Sequence, residues 1–194
     1  KILSEQHKMS DKNLTQKKWL SWHHLLHREF LSKKTLIPKG SNILISVSGG
    51  QDSMALLTLI DDLKKIHNWS ISVWHGDHQW HKKSSLYALE LKSYCEGKNI
   101  PFYFDKADKE NILTEEKARE WRYQKLCEIA KTTLKEKQQN KNIYLLTGHT
   151  STDNAETFIL NLSRGSNFAG LSNIENKRLL ENQIFLIRPI LIFS

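Results

Sequence analysis

The stretch SVSGGQDSMALL, residues 46–57, joins the end of a short apolar run to the start of a helical pattern. Its two glycines, Gly49 and Gly50, let the backbone turn tightly and approach an anion, and the N–H groups that open the following helix supply a positive field. Ser48 and Ser53 add hydroxyl donors on either side of the glycines. An apolar strand, a glycine turn and a helix in this order predict a phosphate-binding loop.

This loop lacks the lysine of a Walker motif, which would reach the β- and γ-phosphates. Asp52 stands in the loop instead, beside Gln51. Because a carboxylate repels a triphosphate unless a divalent cation lies between them, Asp52 indicates Mg²⁺ that bridges the carboxylate and the phosphates. A loop that holds the β- and γ-phosphates as one departing unit suits ATP cleavage between the α- and β-phosphates. The alternative is an ordinary serine-glycine turn followed by an Asp or Ser helix cap.

Short apolar runs alternate with longer helical patterns along the chain. Near-continuous apolar runs are typical of strands buried on both faces of a sheet. The runs predict strands over 42–48, 71–75, 101–104, 142–147 and 184–193, and the helical patterns predict helices over 53–67, 84–98, 114–136 and 153–164. The alternation predicts a doubly wound, mainly parallel, five-stranded α/β sheet of Rossmann-like type, with helices on both faces and ligands beyond the carboxyl ends of the strands.

Length and composition fit one domain over residues 14–194, preceded by a polar segment over 1–13 that we expect to be a disordered tail. The two cysteines, Cys95 and Cys127, form no C-x-x-C pair, so the sequence predicts neither a zinc knuckle nor a redox dithiol. The sequence shows neither an apolar stretch long enough to span a bilayer nor a signal peptide. We therefore expect the protein in the cytoplasm.

The formal net charge of +8 has two interpretations. Lysines and arginines that line a phosphate backbone gain from counterion release, so a nucleic-acid partner would explain the charge. A lysine-rich proteome is the alternative. The amphipathic pattern over 14–34 predicts a helix that either caps one end of the core or contacts tRNA.

A second group of polar residues follows the predicted strand over 142–147. His149, Asp153 and Glu156 stand where that strand gives way to a helix. Asp153 and Glu156 are three residues apart, so their carboxylates share one face of the first helical turn. A capping box has the same spacing. Their position beside His149 at another strand end favours a site that faces the same crevice as the phosphate loop.

Two carboxylates at this place suit either an amino-group substrate or a metal ion. An amine with the pKa of free lysine is almost wholly protonated at neutral pH, and presenting it as a nucleophile costs roughly 4–5 kcal/mol. Acidic side chains that bind the ammonium group, and then take its proton once the electrophile is in place, would answer this difficulty.

Several motifs together resemble one known family. The loop SGGxDS is similar to the PP-loop of the N-type ATP pyrophosphatases, and residues 148–171, GHTSTDNAETFILNLSRGSNFAGL, resemble the signature block of the tRNA(Ile)-lysidine synthetases. Three further stretches fit the same family: HGDHQWHKKSS (75–85), EEKAREWRY (115–123) and IRPILIF (187–193). The resemblance covers residues 19–194 and is nearest to the cyanobacterial and plastid branch.

The resemblance implies an ATP-dependent ligase that modifies tRNA. The family adenylates the C2 oxygen of the wobble cytidine in the CAU anticodon of an isoleucine tRNA and releases pyrophosphate. The ε-amine of free lysine then displaces AMP at C2 and forms lysidine, so the tRNA reads AUA instead of AUG. The resemblance does not decide between a monomer and a homodimer.

The resemblance also implies roles for individual side chains. The loop residues Ser48, Gly49, Gly50, Gln51, Asp52 and Ser53 would hold the phosphates, with Asp52 on Mg²⁺. Asp153 and Glu156 would bind the lysine amine, with His149 lining the same site. Arg164 would reach ATP or the tRNA backbone, and His75, Asp77 and His78 suit an adenosine pocket.

Two arginines on the predicted helix over 114–136 complete the implied site. Arg119 and Arg122 would meet tRNA phosphates. The alternative for these arginines is surface ion pairing with Glu115, which would contribute only about 0.3–0.5 kcal/mol.

The chain departs from the family pattern in three places. Thr152 stands where many members carry a further aspartate, which weakens a two-metal interpretation, and His81 replaces a common arginine after the D-H motif. Family members also continue beyond the equivalent of Ser194 into a region with an R-N-x-I-R motif. We therefore expect these residues to form the catalytic half, without the C-terminal tRNA-binding part.

Two other functions share some of these features. A PP-loop tRNA thiolase would need reactive or cluster-binding cysteines near the site, and Cys95 and Cys127 lie on separate predicted helices. A non-catalytic ATP-binding module of the universal-stress type would need neither Asp52 nor Glu156. The paired acids therefore favour the lysidine-forming enzyme.

Overall fold

The computed structural model of the chain describes residues 19–80, 84–108, 112–136, 142–149 and 175–192. Two predicted features, the tail over 1–13 and the helix over 153–164, lie outside the described residues.

Helices alternate with strands through most of the described chain. The elements are α1 (Ser21–Ser32), β1 (Asn42–Ser46), α2 (Gln51–His67), β2 (Ser70–Asp77), α3 (Ser84–Gly97), β3 (Phe102–Lys106), α4 (Glu115–Glu136), β4 (Ile143–Thr147), β5 (Lys177–Glu181), β6 (Ile184–Ile187) and a 3₁₀ turn (Pro189–Ile192). None of these helices is both long and apolar enough to cross a membrane.

Within the described residues the strands form one six-stranded sheet in the order β3-β2-β1-β4-β6-β5. Neighbouring strands are parallel, except that β5 runs antiparallel to β6. At the centre, Asn42 of β1 lies opposite Ser70 of β2 on one side and Ile143 of β4 on the other. The prediction of a mainly parallel α/β sheet is confirmed.

Side-chain alternation along the central strands divides the core between the two faces of the sheet. Ile43 and Ile45 of β1 pack in a buried cluster with side chains of α1, α2 and α3, whereas Leu44 packs with Leu126 of α4 in a second cluster. Successive residues of a strand point to opposite faces, so neighbours on β1 necessarily join different clusters. Helices therefore cover both faces, as the near-continuous apolar runs predict.

The sheet differs from the sequence prediction at its last strands. The antiparallel strand β5, KRLLE, was not predicted, because its charged residues suit an edge strand and lack a long apolar run. The predicted strand over 184–193 stops at Ile187, and a 3₁₀ turn begins at Pro189. Proline has no N–H to donate to a strand ladder, so the apolar run continues as a turn rather than as a strand.

The order of the strands creates a crevice between β1 and β4. The chain proceeds from β1 outward through β2 to β3, and then returns to place β4 on the other side of β1. Ligands of open α/β sheets bind at such a reversal, beyond the carboxyl ends of the strands. Both polar groups singled out in the sequence, after β1 and after β4, therefore begin at the crevice.

Helix α1 packs on α2 through histidines as well as apolar side chains. The backbone N–H of Leu20 donates to Nδ1 of His23 at 3.1 Å, so the ring proton of neutral His23 sits on Nε2. That nitrogen lies 2.9 Å from Oδ2 of Asp62 on α2 and donates to it. His23 thus caps the start of α1 and ties the helix to the core, which favours the core-capping role of this segment.

A second histidine contact joins the same two helices. Nδ1 of His27 lies 3.0 Å from Nε2 of His67, whose ring stacks on Trp69 with centroids 4.2 Å apart. A hydrogen bond between two imidazoles needs one N–H and one lone pair, so both rings cannot be charged at once. Burial, with smaller contributions from the positive charges of His27 and Lys39, lowers the pKa of His67 to about 4.

This contact predicts that the protein loses stability in mild acid. The pKa of His67 lies below its ordinary value of 6.5, so the unfolded chain binds the proton more readily than the folded chain. The contribution is complete above pH 6.5 and is lost as the pH falls towards about 4. Urea unfolding across this range should show that protonation of His67 lowers the free energy of unfolding of the protein by up to ~3 kcal/mol.

The variant His67→Gln is expected to flatten that pH dependence, because the amide does not titrate. His24→Gln serves as the control, since His24 lies on α1, the helix that carries His27, and is exposed. If His67→Gln shows the same slope of unfolding free energy against pH as His24→Gln, then His67 is not the group that causes the loss of stability in acid.

Candidate active site

A cavity of about 260 Å³ lies in the crevice between β1 and β4. It is lined by residues that follow β1, β2 and β4 and by one arginine of α4. The lining residues are Ser46, Val47, Ser48, Gly50, Gln51, Asp52, Ser53, Trp74, Gly76, His78, Arg122, Thr147, Gly148 and His149.

The phosphate loop turns sharply between β1 and α2. Gly49 has a φ of +89°, in the left-handed region that side chains rarely adopt, and Gly50 is the N-cap of α2 with φ −72° and ψ 161°. Glycine is required at the first position because a side chain there would strain the backbone. The turn presents the start of α2, with its free N–H groups, to the cavity.

Hydrogen bonds hold the loop in this shape. The backbone N–H of Gly50 donates to Oγ of Ser48 at 3.4 Å, and Oγ of Ser53 donates to the backbone carbonyl of Gly50 at 2.9 Å. The two serine Oγ atoms lie 3.2 Å apart. These contacts close a ring of three groups around the turn. The loop is therefore preorganised before an anion enters, which reduces the entropy lost on binding.

Asp52 lies in the first turn of α2 and its side chain is exposed at the cavity. Within the described residues no three His, Cys, Asp or Glu side chains come together as a complete metal site. Magnesium is usually held by one or two carboxylates together with substrate phosphates. Asp52 beside the loop therefore fits a Mg²⁺ site that an ATP molecule would complete.

Gly148 lets the loop after β4 come very close to the phosphate loop. A Cβ at Gly148 would lie 3.0 Å from both the backbone N and the Cα of Ser53, so the backbone would have to shift by a few tenths of an ångström to admit it. The next residue, His149, lines the cavity, and its Nδ1 lies 2.9 Å from Oγ1 of Thr147. The absence of a side chain at Gly148 thus brings His149 beside the start of α2.

The buried indole of Trp74 forms part of the opposite wall. The indole of Trp74 lies 5.7 Å from that of Trp121, and its Nε1 donates to Asp105 at 2.7 Å. A Cβ at Gly76 would come within 2.4 Å of the Trp74 ring and 2.7 Å of the Trp121 ring. Gly76 therefore leaves room for the two indoles to pack against each other.

His78 and Arg122 complete this wall. The pKa of His78 is lowered, first by burial and then by the positive charge of Arg122. His78 is therefore neutral at neutral pH, and Arg122 is the cation that faces the cavity on this side. A negatively charged group in the cavity would meet the start of α2 on one side and Arg122 on the other.

The structure brings together most of the predicted loop and strand-end residues that it describes. Ser48, Gly50, Gln51, Asp52, Ser53, His78, Arg122 and His149 all line the cavity, and Gly49 forms the turn between two of them. Asp153, Glu156 and Arg164, together with His81 and Thr152, lie outside the described residues.

Three predicted residues lie away from the cavity lining. His75 is buried with Nδ1 2.7 Å from the carbonyl of Val47, and Asp77 is buried with Oδ1 accepting the N–H of Gln79 at 2.7 Å. Both side chains form hydrogen bonds to backbone groups and do not line the cavity. Arg119 is exposed, with its guanidinium 5.7 Å from the ring centroid of Tyr123, and it does not line the cavity as Arg122 does.

The sequence reasoning did not single out Trp74, Gly76 or Trp121. A glycine inside a strand pattern indicates the close approach of another group, and Gly76 gives this signal. Nothing in the sequence shows that the approaching groups are indoles from β2 and α4, because that contact depends on the tertiary fold.

Comparison with known proteins agrees with this geometry. The family model described as "PP-loop domain" matches residues 23–194. The chain belongs to the PP-loop family. Membership implies that the domain uses ATP, in line with a cradle for phosphates at the start of α2.

Individual relatives narrow the resemblance. The chain is 71% identical over 186 residues to a protein named tRNA(Ile)-lysidine synthase from Prochlorococcus marinus subsp. pastoris, covering 96% of this chain and 55% of the relative. It is 40% identical over 169 residues to the chloroplastic tRNA(Ile)-lysidine synthase of Pyropia yezoensis, covering 86% and 49%. The predicted resemblance to this enzyme family is confirmed, and the chain spans about half the length of these curated relatives.

A solved structure supports the fold. The U34-tRNA thiolase NcsA from Methanococcus maripaludis, solved with its [4Fe-4S] cluster, matches with a TM-score of 0.55 at 18% identity, covering 87% of this chain and 59% of the thiolase. At this identity the likeness concerns the fold alone.

The close approach at Gly148 leads to a specific prediction. Gly148→Ala should push the loop after β4 away from Ser53, weaken ATP binding at least several-fold, and destabilise the fold by about 1–3 kcal/mol. Gly97→Ala is the matched control, since a Cβ there would meet no atom within 4 Å. Equilibrium binding of ATP and thermal unfolding of both variants would check this. Equal behaviour of the two would show that the two loops are not packed as described.

Proposed function

We propose that this chain is the catalytic domain, residues 14–194, of a tRNA(Ile)-lysidine synthase. The observation that carries the proposal is the shared cavity, which joins the phosphate loop around Asp52 to His149 at the entrance of the lysidine-synthase signature block. Relatives of that name match nearly the whole chain. In this proposal ATP, free lysine and the CAU-anticodon isoleucine tRNA are the substrates.

The phosphate loop is suited to hold the pyrophosphate portion of ATP. The N–H groups at the start of α2 are donors to phosphate oxygens, the helix start adds a positive field, and the hydroxyls of Ser48 and Ser53 hold the loop in the shape that presents them. Asp52 would hold Mg²⁺, which neutralises phosphate charge when bound. No lysine is then needed in the loop, and pyrophosphate can leave as one unit.

Arg122 is suited to the negative charge that moves during adenylation. In the proposed first step the C2 oxygen of the cytidine attacks the α-phosphorus of ATP, and the bond to the β-phosphate oxygen breaks. Charge that develops on the phosphates would be stabilised by a preorganised guanidinium at the cavity wall. Neutral His78 beside Arg122 adds no competing charge, since its pKa is lowered by burial.

The second step requires a neutral lysine amine. Its nitrogen attacks C2 of the cytidine, the bond from C2 to the AMP oxygen breaks, and AMP leaves. The resemblance assigns Asp153 and Glu156 to the binding of this amine, and they follow His149 in the chain. A carboxylate that first pairs with the ammonium group and then accepts its proton would offset the cost of roughly 4–5 kcal/mol for deprotonation.

A PP-loop tRNA thiolase is the competing function, and the cysteines argue against it. Cys95 on α3 and Cys127 on α4 lie in clusters on opposite faces of the sheet. Burial raises the pKa of Cys95 to about 11 and also raises the pKa of Cys127. Neither thiol is reactive at neutral pH, and the two cannot share one cluster.

The compartment also belongs to the proposal. A bacterial cytoplasm, or a plastid stroma, is the place where an isoleucine tRNA of this type would be modified. The chloroplastic name of one relative supports the second setting for the family.

Lysine transfer is the direct test. The full-length protein, incubated with ATP, Mg²⁺, labelled lysine and a CAU-anticodon tRNA transcript, should attach the label to the tRNA. Asp153→Asn should remove nearly all incorporation, because an amide cannot accept the ammonium proton, while Asp108→Asn, an exposed carboxylate outside the cavity, should leave it unchanged. Incorporation of sulfur instead of lysine would establish the thiolase.

The role of Asp52 is tested separately. Asp52→Ala should reduce pyrophosphate release by at least a hundredfold, since the magnesium-bound phosphates lose their carboxylate, while tRNA binding stays close to normal. Pyrophosphate release is measured with a coupled assay and tRNA binding by fluorescence anisotropy. Unchanged ATP cleavage in Asp52→Ala would refute the magnesium assignment.

A further inference from the structure

Trp80 is the most exposed aromatic residue in the described part of the chain, with 50% of its surface open to solvent. It stands three residues after the end of β2. Because β1 and β2 are parallel, this is the same edge of the sheet at which the phosphate loop follows β1. Exposure alone does not indicate a site, since single apolar side chains are common on protein surfaces. The surroundings of Trp80 are more informative.

The turn that carries Trp80 has a defined conformation. Gln79 has a φ of +57°, in the left-handed region that a residue with a side chain rarely adopts. Its N–H donates to Oδ1 of Asp77 at 2.7 Å, and its side-chain Nε2 donates to the carbonyl of Ala107 at 2.6 Å. These two hydrogen bonds offset the cost of the left-handed backbone and fix the direction in which the chain reaches Trp80.

Contacts between aromatic rings connect Trp80 with the cavity. The ring of His78, which lines the cavity, has its centroid 5.2 Å from that of Trp80 and 5.2 Å from that of Trp121. Trp121 in turn packs against Trp74, a second residue of the lining. Trp74 is 1% exposed, so the inner end of this row is buried and the outer end, Trp80, is open. A single ring, that of His78, separates the exposed indole from the cavity.

We propose that Trp80 is a stacking platform for a tRNA base that neighbours the reacting nucleotide. This inference rests on the proposed function, since it assumes that one nucleotide of an RNA loop enters the cavity. That nucleotide must leave its stack, while its neighbours in the strand stay outside, close to the entrance. An aromatic face at this place replaces the stacking that a neighbouring base loses.

The position of Trp80 favours an RNA base over the adenine of ATP. In the proposed reaction the phosphates of ATP lie at the start of α2, inside a cavity that His78 lines and Trp80 does not. A base in contact with Trp80 lies on the outer side of His78, where the RNA strand continues.

Stacking also assigns a limited task to Trp80. Every base has an aromatic face, so a stacking platform accepts any sequence. Trp80 would therefore hold the anticodon loop in position, and the identity of the reacting base would be read inside the cavity.

The experiment measures binding of a CAU-anticodon tRNA transcript to the full-length protein across a series of salt concentrations. Trp80→Ala should weaken binding about tenfold, the loss expected when one base loses its aromatic partner. Because a stacked base displaces no counterions, the slope of log affinity against log salt should stay as in the unmodified protein. The affinity for ATP should not change.

Trp22→Ala is the matched control. Trp22 is exposed to a similar extent, 47%, but lies on α1 and does not line the cavity. Its removal should leave tRNA affinity unchanged. Two further variants separate the aromatic face from apolar surface in general: Trp80→Phe should retain most of the affinity, whereas Trp80→Leu should bind as weakly as Trp80→Ala. Thermal unfolding of each variant checks that the fold is intact.

Several outcomes would overturn the platform. They are unchanged tRNA affinity in Trp80→Ala, an equal loss in Trp22→Ala, and equal affinities of Trp80→Phe and Trp80→Leu. A loss of ATP affinity in Trp80→Ala would also overturn it, because the adenine of ATP would then be the base on Trp80.

The same preparations separate this inference from the proposed function. Weaker tRNA binding in Trp80→Ala, together with no lysine incorporation by the unmodified protein, would contradict the proposed reaction and retain the platform. Lysine incorporation by the unmodified protein, together with unchanged tRNA affinity in Trp80→Ala, would retain the reaction and refute the platform.

Discussion

Parallel pairing of β1 with β4 is the constraint on which the rest of the site depends. Their register sets Ser46 opposite Thr147, so the two strands end at the same level and their following loops leave the sheet side by side. Gly148 completes the arrangement, because the backbone of Ser53 occupies the space where a side chain would begin. One loop brings the helix start that attracts phosphate, and the other brings His149.

The charges around the cavity fit together only when substrate and cation are considered. The start of α2 and Arg122 attract an anion from two sides, whereas Asp52, exposed between them, repels it. A divalent cation changes the sign of that last interaction, since it binds the carboxylate and the phosphates together. The lowered pKa of His78 matters for the proposed reaction, because a second fixed cation beside Arg122 would bind a departing pyrophosphate more tightly.

The sequence predicts the parts of this structure that depend on local signals. Glycines of the phosphate loop and the apolar runs of β1 and β4 have local causes, and these features lie where the pattern places them. Strand β5 was missed because a charged edge strand resembles a loop in sequence. The contact between Trp74 and Trp121 was not predicted, because the two residues are far apart in the sequence, with α3 and β3 between them, and only the fold brings them together. Helical spacing likewise groups Arg119 with Arg122, although the fold turns only Arg122 into the cavity.

Arg188 shows how stability and function separate in this fold. Replacing a buried charge by an apolar side chain of similar size is often neutral or stabilising, so stability alone does not explain a guanidinium at this position. Its neighbours increase the cost, since Arg119 and Arg178 place further positive charge nearby while Glu175 offers only a backbone carbonyl. Within the described residues the buried charge of Arg188 therefore costs stability rather than adding to it, which points to a role other than holding the fold together.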